Sequence, residues 1–395
     1  MTDRPPHNPA PLGAHAAASA RGHAHTIGNP SSRGRVDWID YVKGFCIILV
    51  VQLHVAVALE QDLAPIGAGL MGVDWRVHEW GTWFASILEP FRMPLFFLVS
   101  GLFLARTIDR PWRTYLDNKV LHFAYFYILW LTITFALKYG AISGGDVGTW
   151  LTEYAFAFVQ PFGPLWFLYM LAIFFVATRL LAGVVPLAVI WVAAAALHVP
   201  HIDTGAKLID EFASRYVFFV TGYIFAERVF AFARAAEGKA LWSIAAVVSM
   251  LAASVAVLLL GSVSAPGVTL VLGFAGCAAL IALFANLAAW NAAPWLAFCG
   301  RHSIVIYLAA FIPAGAARAI GIKLLPSHEA TVLALQVGVV VAGVIGALVM
   351  WWIAQRTPAR ILFERPAWAR LSPAGQRSAF DGQLPVGESR AELTP

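Results

Sequence analysis

Stretches of about 20 apolar residues, the length a helix needs to cross a bilayer, recur between residues 39 and 354. They show no period-two alternation of polarity, so a helical bundle is predicted and not a barrel. Composition agrees. Of 395 residues, 60% are hydrophobic and 12% charged, against about 25% charged in a soluble domain. The predicted fold class is an all-α polytopic membrane protein. Ten spans are read, near residues 39–59, 83–105, 120–138, 164–181, 184–199, 212–232, 240–260, 267–290, 297–318 and 330–354, the fifth of them short.

Lys and Arg fall unevenly on the connecting segments. One side carries Arg106, Arg110, Arg113 and Lys119, then Arg228, Arg234 and Lys239, and a basic C-terminal stretch from Arg356 to Arg390. The other carries Arg76, Lys138, Lys207, Arg215, Arg318 and Lys323. Cationic loops stay in the cytoplasm, so both termini are predicted inside. The net charge of +5 is explained by those loops, and nothing suggests nucleic-acid readout. Residues 1–34, rich in Pro, Ala, Ser and His, are predicted to be a disordered tail without a signal-peptide layout. Residues 35–354 form the transmembrane domain. Residues 355–395 are read as a cytoplasmic tail, mostly disordered. Cys46, Cys277 and Cys299 have no pairing spacing and are expected as free thiols.

The first span carries a polar stripe. At 100° per residue, Lys43 and His54 differ by 20° around a helix and Asp40 and His54 by 40°, so all three share one face with Ile47 and Val50. Lys43 and His54 lie about 16 Å apart along the axis. Ionisable groups inside hydrocarbon are costly and usually functional. The stripe therefore suggests a passage or an extended substrate. His54 has three readings: a general base, a proton relay, or a packing histidine bonded to a carbonyl. In the second span, Glu89 and Arg92 are i,i+3 neighbours able to pair, with Pro90 and Pro94 loosening the helix around Arg92.

Other features are weaker. The loop 60–82 holds Glu60, Asp62, Asp74, Trp75, His78, Glu79 and Trp80, and the loop 139–163 holds Trp150, Glu153 and Tyr154. Acids and aromatics there suit a polar, sugar-like acceptor or an ordinary interfacial belt. Trp166, Tyr216, Ser303 and Tyr307 open later spans, where binding and packing are both open. Gly343 and Gly346 are read as helix-packing residues. His198 and His201 resemble a metal pair, but Pro200 interrupts them and no third ligand is evident. No metal site is assigned.

The segment Asp40-Tyr41-Val42-Lys43-Gly44 followed by His54 resembles the start of acyltransferase family 3. Phe91-Arg92-Met93-Pro94-Leu95-Phe96-Phe97-Leu98-Val99-Ser100-Gly101 looks like that family's second-span motif. The segments at Trp166–Leu168 and Gly300–Leu308 are similar to later family patterns. The resemblance runs from about residue 35 to 354. It implies a membrane enzyme of about ten spans that moves acyl groups from cytoplasmic acyl-CoA to hydroxyls of glycans, glycolipids and similar acceptors outside. Lys43 and His54 stand at the positions the family regards as essential, although Arg is commoner than Lys at the first. The basic cluster before the third span is reduced to Lys119 and His122. Ala309 and Ala310 stand where a later His is frequent.

The resulting expectation is an inner-membrane O-acyltransferase using acetyl-CoA as donor substrate, with no bound cofactor. His54 acts as base or acyl carrier, Asp40 orients Lys43, Arg92 stabilises the oxyanion, and Glu89 positions Arg92. Arg106, Arg113, Lys119 and His122 are the expected donor-binding groups, with Trp166, Ser303 and Tyr307 completing the substrate site. The bilayer and a glycan or glycolipid acceptor are the expected partners, and oligomeric state is left open. The rival reading is a proton-coupled transporter or flippase, in which His54, Asp40 and Glu89 form a relay. It predicts repeat symmetry or matched broken helices, for which only Pro90 and Pro94 speak. A membrane scaffold or sensor would not need Lys43, His54 and Arg92 buried together.

Overall fold

The computed structural model describes residues 37–67, 76–200, 202–324 and 329–371, and every regular element among them is helical. Backbone N–H and C=O groups have no water to pair with in hydrocarbon, and a helix satisfies them within one segment.

The elements used below are α1 (Asp37–Gly67), α2 (Arg76–Leu102), α3 (Trp112–Leu116) and α4 (His122–Leu137), the last two joined by a π-helical turn over Asp117–Leu121. They continue as α5 (Tyr139–Ser143), α6 (Val147–Phe156), α7 (Trp166–Ala182), α8 (Leu187–His198), α9 (Lys207–Ile224) and α10 (Ala226–Ala236). The chain then forms α11 (Ala240–Leu259), α12 (Val268–Ala289), α13 (Pro294–Arg301), α14 (Ser303–Ala309), α15 (Phe311–Leu324) and α16 (Glu329–Ala354).

Among the described residues, six helical segments are long and apolar enough to cross a membrane, or up to eight if each of two bent pairs counts as one span. The stretch read as the fifth span becomes α8, whose 12 residues reach only about 18 Å. The sixth is broken at Phe225, where α10 turns 79° away from α9, and the ninth is split into α13, α14 and α15, the last two at 51°. By contrast α2 continues through Pro90 and Pro94.

The helix α1 sits at the centre, against α2, α12, α13 and α16. Two crossings bring backbones into contact. A Cβ on Gly44 would lie 2.0 Å from the Leu296 carbonyl oxygen, and one on Gly300 would lie 1.7 Å from that of Asp40. Likewise a Cβ on Gly101 would meet the Phe219 oxygen at 2.1 Å, and one on Gly222 the Leu98 oxygen at 2.0 Å. Apolar helices in lipid gain nothing by leaving water, so close packing through small residues must hold them together. Gly343 and Gly346 belong to the same class, since added Cβ atoms would press on Ala314 and Pro313.

Residues 355–371, read from sequence as the start of the tail, are folded against α4. Trp130 Nε1 donates to the Leu362 carbonyl at 2.9 Å and the Tyr125 hydroxyl to that of Ile361 at 2.9 Å. At the π turn, Arg365 Nη1 donates to the Asp117 carbonyl at 2.7 Å and Nη2 to Asp117 Oδ1 at 2.8 Å. The Leu371 amide donates to the same carboxylate oxygen at 2.9 Å.

Candidate functional site

The α1 helix is unbroken, so the stripe predicted from its periodicity is present. Asp40, Lys43 and Ile47 are buried, Val50 is half-buried, and His54 is exposed. The stripe therefore opens toward the C-terminal end of α1. Lys43 Nζ lies 5.8 Å from the centre of the Phe103 ring.

His54 Nδ1 lies 2.7 Å from the Val50 carbonyl oxygen. A carbonyl only accepts, so Nδ1 carries the hydrogen and Nε2 of the neutral ring is left as an acceptor. The carbonyl bond anticipated for a packing histidine is thus present, and it also fixes the tautomer that a base requires. The cations of Arg92, Lys207 and Lys138 lie within electrostatic reach of this ring.

Arg92 enters from α2, whose backbone meets α1 where Cys46 Sγ approaches the Arg92 carbonyl at 3.7 Å. It is only 5% exposed, and its Nε and Nη1 are buried without a hydrogen-bond partner. Burying donors unpaired is expensive, more so on a charged group. The expected Glu89–Arg92 association is present as a charge interaction without a direct ion pair: Glu89 is exposed, and its carboxylate is the foremost charge acting on Arg92. Spacing of i,i+3 puts the two on neighbouring faces, but Arg92 turns into the bundle and Glu89 out of it.

Trp166, at the start of α7, packs against Phe97 at 6.1 Å. Lys207, the first residue of α9, holds its Nζ 5.9 Å from the Trp166 ring centre. Its backbone amide donates to Gln160 Oε1 at 3.0 Å, and Gln160 Nε2 donates to the Gly205 carbonyl at 3.1 Å. About two helical turns further along α9, Arg215 pairs with Glu211 at 3.3 Å. Arg318 closes over the end of α1, 2.7 Å from the Ala58 carbonyl and 3.0 Å from Asp62. Lys207, Lys138 and Arg215 entered the sequence reading only as loop charges. No local signal marks them, because their association with His54 and Arg92 is tertiary.

The remaining expected site residues are placed differently. Tyr307 donates to the Pro164 carbonyl and packs edge-on against Phe167, so its hydroxyl braces the turn before α7. Ser303 is half-buried on the first turn of α14. Arg106 and Arg113 are exposed. Lys119 is 2% exposed with Nζ 4.7 Å from the Phe175 ring centre, so it is not grouped with those exposed cations. His122 packs edge-on against Phe123 and Phe126, within electrostatic reach of Lys119, Arg365 and Arg370. Arg179, read from the sequence only as an inner-side charge, stacks on Trp112 and Tyr115 and donates to the Ile108 carbonyl.

Trp150 donates to the Phe135 carbonyl at 3.0 Å and stacks on Tyr154, which are packing roles. Asp74 and Trp75 lie outside the described residues, as do the side chains of His78, Glu79 and Trp80. Both ring nitrogens of His198 are engaged, Nδ1 with the Ser214 carbonyl and Nε2 with Thr269 Oγ1, and His201 lies outside the described residues. Cys46, Cys277 and Cys299 are free and buried.

A bundle of membrane-length helices defines a polytopic membrane protein; inside it lies a guanidinium with two unpartnered donors, and an imidazole sits at the open end of a polar stripe. The match to known proteins then fixes the family. Residues 36–354 match the model of Acyl_transf_3, described as an acyltransferase domain, and the chain belongs to that family. Over 84 residues it is 37% identical to the inner membrane protein YcfT of Escherichia coli (strain K12). That stretch covers 21% of this chain and 23% of YcfT. No solved structure matches the chain. Membership supports acyltransferase activity in general, in a chain with several helices long and apolar enough to cross a membrane.

Proposed function

We propose that the protein is an inner-membrane O-acyltransferase that moves an acetyl group from cytoplasmic acetyl-CoA to a hydroxyl of a glycan or glycolipid on the far side. The observation that carries this reading is the His54 ring. Its Nδ1–H is tied to Val50, which leaves Nε2 as the acceptor of an exposed ring, within electrostatic reach of Arg92, whose Nε and Nη1 have no hydrogen-bond partner.

The acceptor hydroxyl gives its proton to His54 Nε2 as its oxygen attacks the thioester carbonyl carbon. The carbonyl oxygen becomes an oxyanion, and Arg92 supplies donors for it that no protein group claims. The tetrahedral centre collapses, the C–S bond breaks, and the imidazolium returns its proton to the CoA sulfur. The products are the acetyl ester and free CoA. Lys43 lies about 16 Å along the same helix face, in line for the pantetheine arm entering from inside, with exposed Arg106 and Arg113 placed for its phosphates.

Ten spans with both termini cytoplasmic belong to the same proposal. Contacts between segments predicted on one side support it. Asp62 meets Arg318, Gln160 meets Lys207, and Asp117 meets Arg365. The inner-membrane location is supported by the relative's name.

Purified protein incubated with labelled acetyl-CoA and an envelope glycan extract is expected to place label on glycan. Lys43→Ala is expected to raise the KM for acetyl-CoA with a smaller effect on kcat. Unchanged donor dependence would remove Lys43 from the donor path, and absence of any glycan label would overturn the reading.

A further inference from the structure

The surroundings of His54 carry more positive charge than acyl transfer from a neutral thioester requires. Arg92, Lys207 and Lys138 all lie within electrostatic reach of the ring. Among the described residues none of the three is in an ion pair. The carboxylates whose charge reaches them form no ion pair with them: Glu211, which acts on Lys207, pairs with Arg215, and Glu89, which acts on Arg92, is exposed. Arg92 adds two buried donors without partners. Like charges gathered around one ring repel one another and favour a ligand of opposite sign. Beside them, Trp166 offers an aromatic ring with Lys207 Nζ 5.9 Å from its centre. An aromatic ring with an adjacent cation suits a sugar ring whose substituent is an anion.

We infer that the acceptor is an acidic glycan or glycolipid, whose carboxylate or phosphate is held by Lys207 and Lys138 beside the hydroxyl that His54 deprotonates, with Trp166 under the sugar ring. The CoA phosphates do not fill this role, because these cations lie at the open end of the stripe, away from Lys43. This inference rests on the acyl-transfer reading above and adds the acceptor class. Lys207 is a binding residue in it. Arg92 keeps its place at the oxyanion.

The test compares acetyl transfer to tri-galacturonate, to its neutral methyl ester and to a short glycerol-phosphate oligomer. At least one anionic probe is expected to exceed the ester by tenfold or more in kcat/KM, with the advantage shrinking as salt rises. Lys207→Gln should remove that ratio through KM, and Lys207→Arg should retain it. Equal use of the acid, the ester and the phosphate would overturn the inference while leaving acyl transfer intact. Calorimetric titration of the same probes into His54→Ala protein separates the two failures. Salt-sensitive binding of an anion, lost in Lys207→Gln, supports the anionic site even where no transfer occurs. Absence of any preference for the anions over the ester in binding overturns it.

Discussion

Two buried arginines behave in opposite ways. Arg365, on the segment after α16, meets Asp117 at 2.8 Å with both side chains almost fully buried, 6% and 4% exposed, and adds a bond to the Asp117 carbonyl. Arg92, just as buried, leaves Nε and Nη1 without partners and has no carboxylate in an ion pair with it. The first arrangement closes a structure: the cation is matched by groups of the chain itself, and it fixes residues 355–371 across α4. The second leaves two of the cation's donors without partners, within electrostatic reach of the His54 ring. A buried charge that the fold satisfies is architecture, whereas one that the fold leaves unsatisfied is kept for a ligand.

The contrast breaks most clearly at Asp117. Asp117→Ala strips the buried guanidinium of Arg365 of its counter-charge and is expected to cost about 3–5 kcal/mol. Thermal or denaturant unfolding in detergent measures it. The double change Asp117→Leu with Arg365→Met, which removes both charges, should recover most of the loss. Arg92→Met should do the reverse. With no partner left stranded, stability should hold or rise, while acetyl transfer falls by about 10²–10³-fold. A loss of stability like that of Asp117→Ala would erase the distinction between the two arginines. Smaller again is Gly300→Ala. Its Cβ would fall 1.7 Å from the Asp40 carbonyl oxygen, forcing α13 off α1 at the inner end of the stripe. Overpacking of this kind costs about 1–3 kcal/mol, and unfolding should report it with activity reduced in step.

What could be read from sequence was local. Helical periodicity put Asp40, Lys43 and His54 on one face, and the unbroken α1 keeps them there. The burial of Arg92 followed from its apolar neighbours. Spacing did not say which of two neighbours would face the interior: Arg92 is buried and Glu89 exposed. It also failed where an apolar run bends. Nothing in the run 212–232 marks Phe225 as the break, since both halves remain apolar enough to pass as one span. The cations around His54 were out of reach for another reason. Lys207 and Lys138 are distant in sequence from α1, and only the packing of α4, α7 and α9 collects them. The folding of residues 355–371 depends in the same way on long-range bonds from Tyr125, Trp130 and Asp117, which leave no periodic trace.

The account stands on His54 Nε2 taking a proton from an alcohol on one side of the membrane while a thioester arrives from the other. Sealed proteoliposomes with labelled acetyl-CoA trapped inside and an acidic glycan outside test this directly. Wild-type protein should move label onto the external glycan, and His54→Ala should slow that transfer by about 10²–10⁴-fold. Transfer by His54→Ala at the wild-type rate, or label moving only when donor and acceptor share a compartment, would contradict it.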